Sequence, residues 1–203
     1  MAATYNWEII PLATPKLVKK CSRCANNEFQ CSDFFRVNSC KKLIDVWLIY
    51  KCTHCDFTWN MDILTRKSVS SIDPVMFKKF QENNRDLAWN FAFNKNTLSY
   101  NKVQPNWDIP FMFNRFNDEL EHETNEILTL ILTSEYELGI SIRKLLQRLL
   151  FTSNTQIKSL IEGKDIIVNS DLKYPSNKVG VRCKIEMTHK VFPRNDYMHL
   201  FKE

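Results

Sequence analysis

Four cysteines occur in two C-x₂-C pairs, Cys21 with Cys24 and Cys52 with Cys55, and 27 residues separate the pairs. Two such pairs can present four sulfur atoms tetrahedrally to a zinc ion, at about 2.3 Å from the metal. Because four protein ligands close the coordination sphere, no position remains for an activated water. The spacing therefore predicts one structural zinc ion, held by the four thiolates, whose role is in folding and not in catalysis.

The remaining three cysteines, Cys31, Cys40 and Cys183, have no second cysteine at short spacing. Such single cysteines are mostly small, buried apolar residues, and we interpret these three in that way. His54 lies inside the second pair, where its ligation would displace a cysteine, so we place it beside the site or at the surface. A catalytic cysteine–histidine pair stays open as an alternative, although no spacing in the chain favours it.

The sequence offers few signals of catalysis. Its three glycines, Gly139, Gly163 and Gly180, match neither the dinucleotide-binding fingerprint nor the phosphate-binding P-loop. Residues 71–140, the part left for a catalytic domain, carry no recognisable set of acid, base and nucleophile. We therefore expect a non-enzymatic protein and keep an RNA-modifying enzyme as a minor alternative.

The start of the chain, MAATYNWEIIPLATPKLVKK, lacks the charged segment, apolar stretch and cleavage site of an export signal. Apolar runs also fall short of the ~18 residues that span a bilayer, the longest being 46–50 and 127–132. Seven cysteines without an export signal favour reduced thiols over a disulfide framework. We expect a soluble, cytoplasmic protein that does not associate with membranes.

Charge is unevenly distributed along the chain, whose net charge is +5. Residues 141–203 carry 12 basic and 6 acidic side chains, whereas residues 71–140 carry 6 and 11. Residues 16–70 carry 10 and 5, but zinc bound by four thiolates would lower the net charge there. The basic carboxyl-terminal third favours an anionic partner. Solvated lysines without a partner are the alternative.

A β-rich stretch lies around the cysteine pairs. Aromatic and β-branched residues predict three or four short strands, among them 34–37, 44–50 and 57–64, with a polar turn at 38–42. Three aromatic residues of these strands can either form core or stack on nucleic-acid bases, and core is favoured in so small a sheet. They are Trp47, Tyr50 and Trp59.

Helices are predicted after this stretch. Asp73-Pro74 is typical of a helix start, with the aspartate as N-cap and the proline in the first turn. Asn83-Asn84 should separate this helix from a second one around 87–91. Residues 94–118 contain prolines and no sustained period, which predicts an ordered but irregular segment.

The last third is the most regular part of the sequence. Ser141 can cap a helix whose apolar residues recur at helical spacing, and Ser153 with Gln156 forms a capping box for a second helix. The predicted buried positions are Ile142, Leu145, Leu146, Leu149, Leu150, Ile157, Leu160 and Ile161. Strands are predicted at 127–133, 166–169 and 179–187. The run 119–126 is acidic and typical of a solvated loop.

These elements predict an α+β chain of three parts. Residues 1–70 should form a β-rich zinc ribbon, in which a long hairpin connects the two cysteine pairs. Residues 71–118 should form a helical and irregular connector. Residues 119–203 should form a mixed α+β module.

The segments 141–146, 153–161 and 166–170 resemble the alpha-L RNA-binding module, named from a small-subunit ribosomal protein. In that family two helices and a following strand grip structured RNA through basic residues near the helix starts. The family's Ser-Arg start of the second helix is Ser153-Asn154 here, which removes one phosphate contact. The resemblance implies that six residues face phosphate, with the dipole of the second helix adding to them. They are Arg143, Lys144, Arg148, Asn154, Lys158 and Lys173.

The whole chain is similar to a bacterial family of unknown function, numbered 1062 among domains of unknown function. The similarity rests on the first cysteine pair and on segments 35–38, 45–52 and 58–60. It implies a zinc ribbon joined to an alpha-L-like module and no known activity. With the charge pattern, it leads us to expect a zinc protein that binds structured RNA, such as ribosomal or transfer RNA. The alternative is an interaction or regulatory protein whose ribbon docks another protein or DNA.

Overall fold

The computed structural model describes residues 3–116, 127–169, 182–188 and 191. Within these residues the chain has two five-stranded sheets and five α-helices, which confirms the predicted α+β class. The acidic run 119–126, the beginning of the predicted strand 179–187, and Lys173 lie outside the described residues.

Two compact units divide the chain. Ala13–Ile109 forms one of them, which we call the inserted unit. Met1–Leu12 and Pro110–Glu203 together form the other, which we call the terminal unit. This division differs from the predicted parts 1–70, 71–118 and 119–203, because the first strand pairs with strands far along the chain, as in Trp7 with Leu132. Such long-range pairing leaves no local signal in a sequence.

The inserted unit contains an antiparallel sheet in the order β5-β4-β3-β2-β6. Its strands are β2 (Lys16–Val18), β3 (Glu28–Cys40), β4 (Leu43–Cys52), β5 (Thr58–Ser68) and β6 (Gln104–Asn106). The predicted strands 34–37, 44–50 and 57–64 are confirmed, and each is longer than predicted. The predicted turn at 38–42 is shorter, because Asn38 and Ser39 continue the pairing with β4 and only Lys41 and Lys42 turn.

Three helices follow the hairpins: α1 (Pro74–Gln81), α2 (Arg85–Phe93) and α3 (Lys95–Tyr100). The side chains of Asp73, Asn84 and Asn94 each accept a hydrogen bond from a first-turn backbone N–H, which satisfies amides that have no partner within the helix. The prediction of an irregular segment at 94–118 is wrong. Asn94 caps a further helix there, and Pro105 lies in the edge strand β6, where its missing N–H disrupts no inner ladder.

The core of the inserted unit lies between one face of its sheet and the helices. Alternate residues of β4 are fully buried, as the period of two requires, and they pack with aromatic residues of α1 and α2. Tyr50 is buried, as predicted, whereas Trp47 and Trp59 are half-buried. Trp59 packs at a tilt against Tyr50, and the Trp47 indole N–H donates to an Asp62 carboxylate oxygen at 2.8 Å.

The terminal unit contains a mixed sheet in the order β7-β1-β8-β10-β9, in which only the β1–β8 pairing is parallel among the described pairs. Its strands are β1 (Ala3–Pro11), β7 (Phe111–Phe116), β8 (Ile127–Thr133), β9 (Ile166–Asn169) and β10 (Cys183–Thr188). The predicted strands at 127–133 and 166–169 are confirmed. In β10, Cys183, Ile185 and Met187 are buried and alternate with the polar residues Lys184 and Glu186, which is the period of two of a half-buried strand.

Two helices belong to this unit, α4 (Ile142–Leu150) and α5 (Asn154–Glu162). The Ser141 cap and the Ser153–Gln156 capping box are both present. Of the eight positions predicted to be buried, four are fully so: Leu145, Leu146, Leu149 and Ile157. The prediction is wrong for Ile161, which is 38% exposed. It lies in the last turn of α5, where the helix ends and the chain turns at Gly163.

Candidate metal centre

The four paired cysteines converge in space. All four sulfur atoms lie within 4.8 Å of one another, with Cys21 Sγ at 3.7 Å from Cys55 Sγ and Cys24 Sγ at 3.6 Å from Cys52 Sγ. A tetrahedral zinc ion with bonds of about 2.3 Å requires sulfur–sulfur separations of about 3.8 Å. A disulfide would require about 2.05 Å. The sulfur positions therefore match a four-coordinate metal site and exclude a disulfide in this arrangement.

The β3–β4 hairpin brings the two pairs together. Cys21 and Cys24 lie shortly before β3, and Cys52 ends β4 opposite Phe29 of β3. Each pair occupies a tight turn closed by backbone hydrogen bonds, from the Cys21 N–H to the Asn26 carbonyl and from the Cys52 N–H to the Phe57 carbonyl, both at 2.9 Å. The two turns are thus fixed at the same end of the sheet.

Backbone and amide donors surround the sulfur atoms. The Arg23 backbone N–H donates to Cys21 Sγ at 3.4 Å, and the Asn26 side-chain amide donates to Cys52 Sγ at 3.4 Å. The same amide donates to the Thr53 hydroxyl at 2.9 Å, so Asn26 links the two turns. Sequence reasoning missed Asn26, although its position two residues after the first pair was a usable signal. His54 is not part of the cluster of ligand atoms, as predicted.

The thiols of the cluster differ in acidity. Burial raises the pKa of Cys52, but hydrogen bonds from the Asn26 amide and from the backbone N–H groups of His54 and Cys55 outweigh it and lower that pKa from 9.0 to about 6. A backbone hydrogen bond from Asn26 lowers the pKa of Cys24, but burial and the three neighbouring sulfurs together outweigh it and raise that pKa to about 12. Four thiolates cannot coexist here without a cation. A divalent metal would supply that charge and displace the protons.

The other three cysteines lie away from the cluster. Cys183 is buried, as predicted, and burial raises its pKa. Cys31 is partly buried, and its pKa is raised to about 12, mainly by burial. The prediction of burial is wrong for Cys40, which is exposed because it ends β3 beside the Lys41–Lys42 turn.

The residues predicted to contact RNA lie on α4 and α5, except for Lys173, which is outside the described residues. Arg143, Arg148, Asn154 and Lys158 are exposed, and Lys144 is half-buried. The Arg148 guanidinium lies 4.7 Å from the Phe111 ring centre, and Lys158 pairs with Glu162 at 3.7 Å. The two helices thus carry cations at the surface.

Comparison with known families adds one finding. The profile of a family described as "Protein of unknown function (DUF1062)" matches residues 37–172, about two-thirds of the chain. The chain belongs to the DUF1062 family. The matched region includes Cys52 and Cys55 and begins after Cys21 and Cys24, so it covers parts of both units.

Two further comparisons gave no match, neither to a curated protein nor to a solved structure. Among the described helices, none combines the length and the apolar character that crossing a membrane requires.

Proposed function

We propose that this DUF1062 protein is a non-enzymatic zinc protein that binds structured RNA, in a reducing compartment such as the cytoplasm. The observation that carries the proposal is the convergence of four sulfur atoms within 4.8 Å. Zinc fits this donor set because thiolates favour soft or borderline metals and because structural zinc is usually bound by four ligands in a tetrahedral arrangement. The role of the ion is structural, since four protein ligands leave no open position.

Zinc would fasten two turns that have little other support. The first turn contains no helix or strand and the second contains only the last residue of β4, and both are held by a few backbone hydrogen bonds and by Asn26. Cys21 and Cys52 are 2% and 0% exposed and belong to the core of the inserted unit. Loss of the metal would therefore disturb packing beneath the sheet as well as the turns themselves.

Purified protein should contain one zinc per chain by inductively coupled plasma mass spectrometry. Iron in the same site would colour the protein and appear in the same measurement, because tetrahedral four-sulfur sites hold either metal. A chain isolated under reducing conditions without stoichiometric metal, and unable to take up added zinc, would contradict the structural-zinc assignment.

RNA binding by the terminal unit is supported by the cations of α4 and α5 and by the basic composition of residues 141–203. At the amino terminus of α5, the Ser153 side chain already accepts a hydrogen bond from the Gln156 backbone N–H, and the Gln156 side chain accepts one from the Ser153 backbone N–H. RNA phosphates would therefore be contacted mainly by side chains such as Arg143 and Lys158, and such contacts release counterions.

Fluorescence anisotropy with a labelled, folded RNA at low salt tests this step. Arg143→Glu with Lys158→Glu should weaken binding and reduce its salt dependence, whereas the charge-matched pair Lys78→Glu with Lys79→Glu on α1 should not. No binding at low salt, or equal effects of both pairs, would refute RNA binding through this surface.

Docking of a protein or DNA by the inserted unit is the alternative, favoured by exposed Arg23 and by neighbouring Lys20 beside the cysteine cluster. A pull-down that captures one defined protein and is insensitive to nuclease, together with no RNA binding, would favour it.

A further inference from the structure

Four basic residues form one end of the inserted sheet, the end opposite the cysteines. Lys41 and Lys42 make the turn between β3 and β4, while Arg66 and Lys67 lie near the end of β5. We call these four residues the basic tip. Cys52 lies at the other end of β4, so the whole strand separates the basic tip from the metal centre.

Backbone pairing holds the four residues together. Ile44 pairs with Lys67 and Leu43 with Ser68 across β4 and β5, and the Val69 N–H donates to the Lys42 carbonyl at 3.0 Å. The Arg66 backbone N–H donates to an Asp45 carboxylate oxygen at 2.7 Å, at a point where the register of the two strands shifts. Because neighbouring strands are about 4.8 Å apart, the backbones of the four basic residues lie close together at one end of the sheet.

The basic tip keeps a net positive charge. All four side chains are exposed, and within the described part of the chain none of them forms a salt bridge. Two carboxylates, Asp45 and Asp62, are close in the fold. Each accepts a hydrogen bond from a neutral N–H group and keeps its negative charge, so four cations and two anions leave a net charge of +2 at this end of the sheet. Four exposed cations at one end of the sheet, with a net positive charge, favour a partner that carries phosphates.

A cavity of about 390 Å³ adjoins the basic tip, and Lys67 belongs to both. It lies between β5 and α3 and is lined by residues that include Asp62, Ile63, Lys67, Asn96, Thr97 and Tyr100. Tyr100 is 67% exposed, although an aromatic side chain of this size is usually covered. Its ring is thus available for stacking at the edge of the cavity.

The wall of the cavity is rigid on the β5 side. The Asn101 side chain accepts from the Asp62 N–H at 2.8 Å and donates to the Asp62 carbonyl at 2.9 Å, which ties the end of α3 to β5. The Trp47 indole fixes the Asp62 carboxylate from the other side. The Asp62 carboxylate can therefore offer an acceptor at a fixed position, and the exposed Asn96 side chain, which also lines the cavity, can offer an amide.

We propose that the basic tip and this cavity form a binding site for single-stranded nucleic acid, separate from the surface of α4 and α5. One base would stack on Tyr100 and meet the polar groups of Asp62 and Asn96. Its flanking phosphates would meet the four cations. The volume lies near the lower end of the roughly 300–1,000 Å³ of ligand pockets, which suits one nucleoside.

A single strand fits these features better than a duplex. Bases of a duplex are stacked inside it and unavailable to Tyr100, whereas unpaired bases stack readily on aromatic side chains. A free phosphate would use the cations and leave the cavity and the exposed ring without a role. The 2′-hydroxyl distinguishes RNA from DNA, and the experiment includes both.

The experiment uses the full zinc-loaded chain and fluorescence anisotropy with labelled 12-nucleotide single-stranded RNA, the same sequence as DNA, and the corresponding duplex. Every variant is made in a background that carries Arg143→Glu and Lys158→Glu, so that binding through the terminal unit does not mask the result. The tip variant is Arg66→Glu with Lys67→Glu. Its charge-matched control is Lys78→Glu with Lys79→Glu on α1. The stacking variant is Tyr100→Leu, which changes an exposed side chain and should not affect folding.

We expect single strands to bind more tightly than the duplex. The tip variant should weaken binding at least tenfold at low salt. It should also lower the slope of log affinity against log salt by ~0.7 for each phosphate that the protein no longer neutralises. Tyr100→Leu should weaken binding by about five- to hundredfold, the range for a base–aromatic stack. A 4-thiouridine strand should crosslink to a peptide that contains Tyr100.

Three results would overturn the proposal: equal loss of binding in the tip variant and its control, unchanged binding in Tyr100→Leu, or equal affinity for duplex and single strand. Better binding of RNA than of DNA would support the proposal and locate recognition at the sugar. Each of these results is independent of whether α4 and α5 bind RNA, because that surface is already altered.

Discussion

Removal of one thiolate from the cluster is the sharpest test of the metal centre. Cys24→Ala suits this test because Cys24 is only partly buried, so the substitution removes a ligand with less loss of packing than at Cys21 or Cys52. Three sulfurs would remain, and the site would lose its closed tetrahedral geometry. We expect the variant to retain little zinc after dialysis.

The size of the effect follows from linkage between binding and folding. A ligand at a concentration a thousandfold above its dissociation constant stabilises the folded state by about 4 kcal/mol. In a domain of roughly 100 residues, each kcal/mol shifts the unfolding midpoint by about 4–8 °C. Loss of the metal should therefore lower the midpoint of the inserted unit by about 15–30 °C.

Tryptophan fluorescence is a suitable assay because four of the five tryptophans lie in the inserted unit: Trp47, Trp59, Trp89 and Trp107. Thermal unfolding would be followed for the wild type, for the wild type with a chelator, for Cys24→Ala, and for Cys40→Ala as the control. Cys40 is exposed and is not part of the cluster, so its loss should change neither the midpoint nor the zinc content. One zinc per chain in Cys24→Ala, or a midpoint equal to that of Cys40→Ala, would refute the assignment.

Three further outcomes are expected. In zinc-loaded protein only Cys40 should react rapidly with iodoacetamide, because burial raises the pKa of Cys31 and Cys183; chelation should expose four more thiols, counted by mass spectrometry. Asn26→Ala should weaken zinc binding by about 10–100-fold in competition with a chelating dye, because it removes a hydrogen bond to a ligand sulfur, whereas the neighbouring Asn27→Ala should not. Cys31 has a pKa of about 12 in place of 9.0, so the folded state favours the protonated thiol. The resulting contribution to the free energy of unfolding is complete below pH 9 and is lost as the pH rises towards 12. Urea titrations should therefore show a smaller alkaline loss of stability in Cys31→Ala than in the wild type.

Local features of the fold could be read from the sequence. The caps Asp73, Ser141 and Ser153, the aromatic and β-branched residues of β4 and the alternation in β10 leave patterns within a few residues, and these elements are present in the structure. The cysteine cluster could also be predicted from the sequence, since a structural zinc site requires four ligands and the C-x₂-C spacing supplies them in pairs.

Pairings between strands that are distant in the sequence could not be predicted in this way. The first strand lies between β7 and β8, and it carries no local mark of partners roughly a hundred residues away. The division into two units depends on that pairing and was therefore missed. The basic tip was missed for a related reason: Lys41–Lys42 and Arg66–Lys67 are two short pairs in sequence, and only the register of β4 with β5 brings them to the same end of the sheet.

The positions of the metal centre and the basic tip bear on how zinc would affect binding. Both lie on the β3–β4–β5 sheet but at opposite ends of β4, and the cysteine turns contribute no residue to the cavity beside Tyr100. Zinc therefore has no direct contact to offer a nucleic acid at the tip, and its influence there is limited to the stability of the sheet. Well below the unfolding midpoint of the metal-free protein, a chelator should leave the affinity of the tip for single strands unchanged. Near that midpoint, affinity and tryptophan fluorescence should fall together.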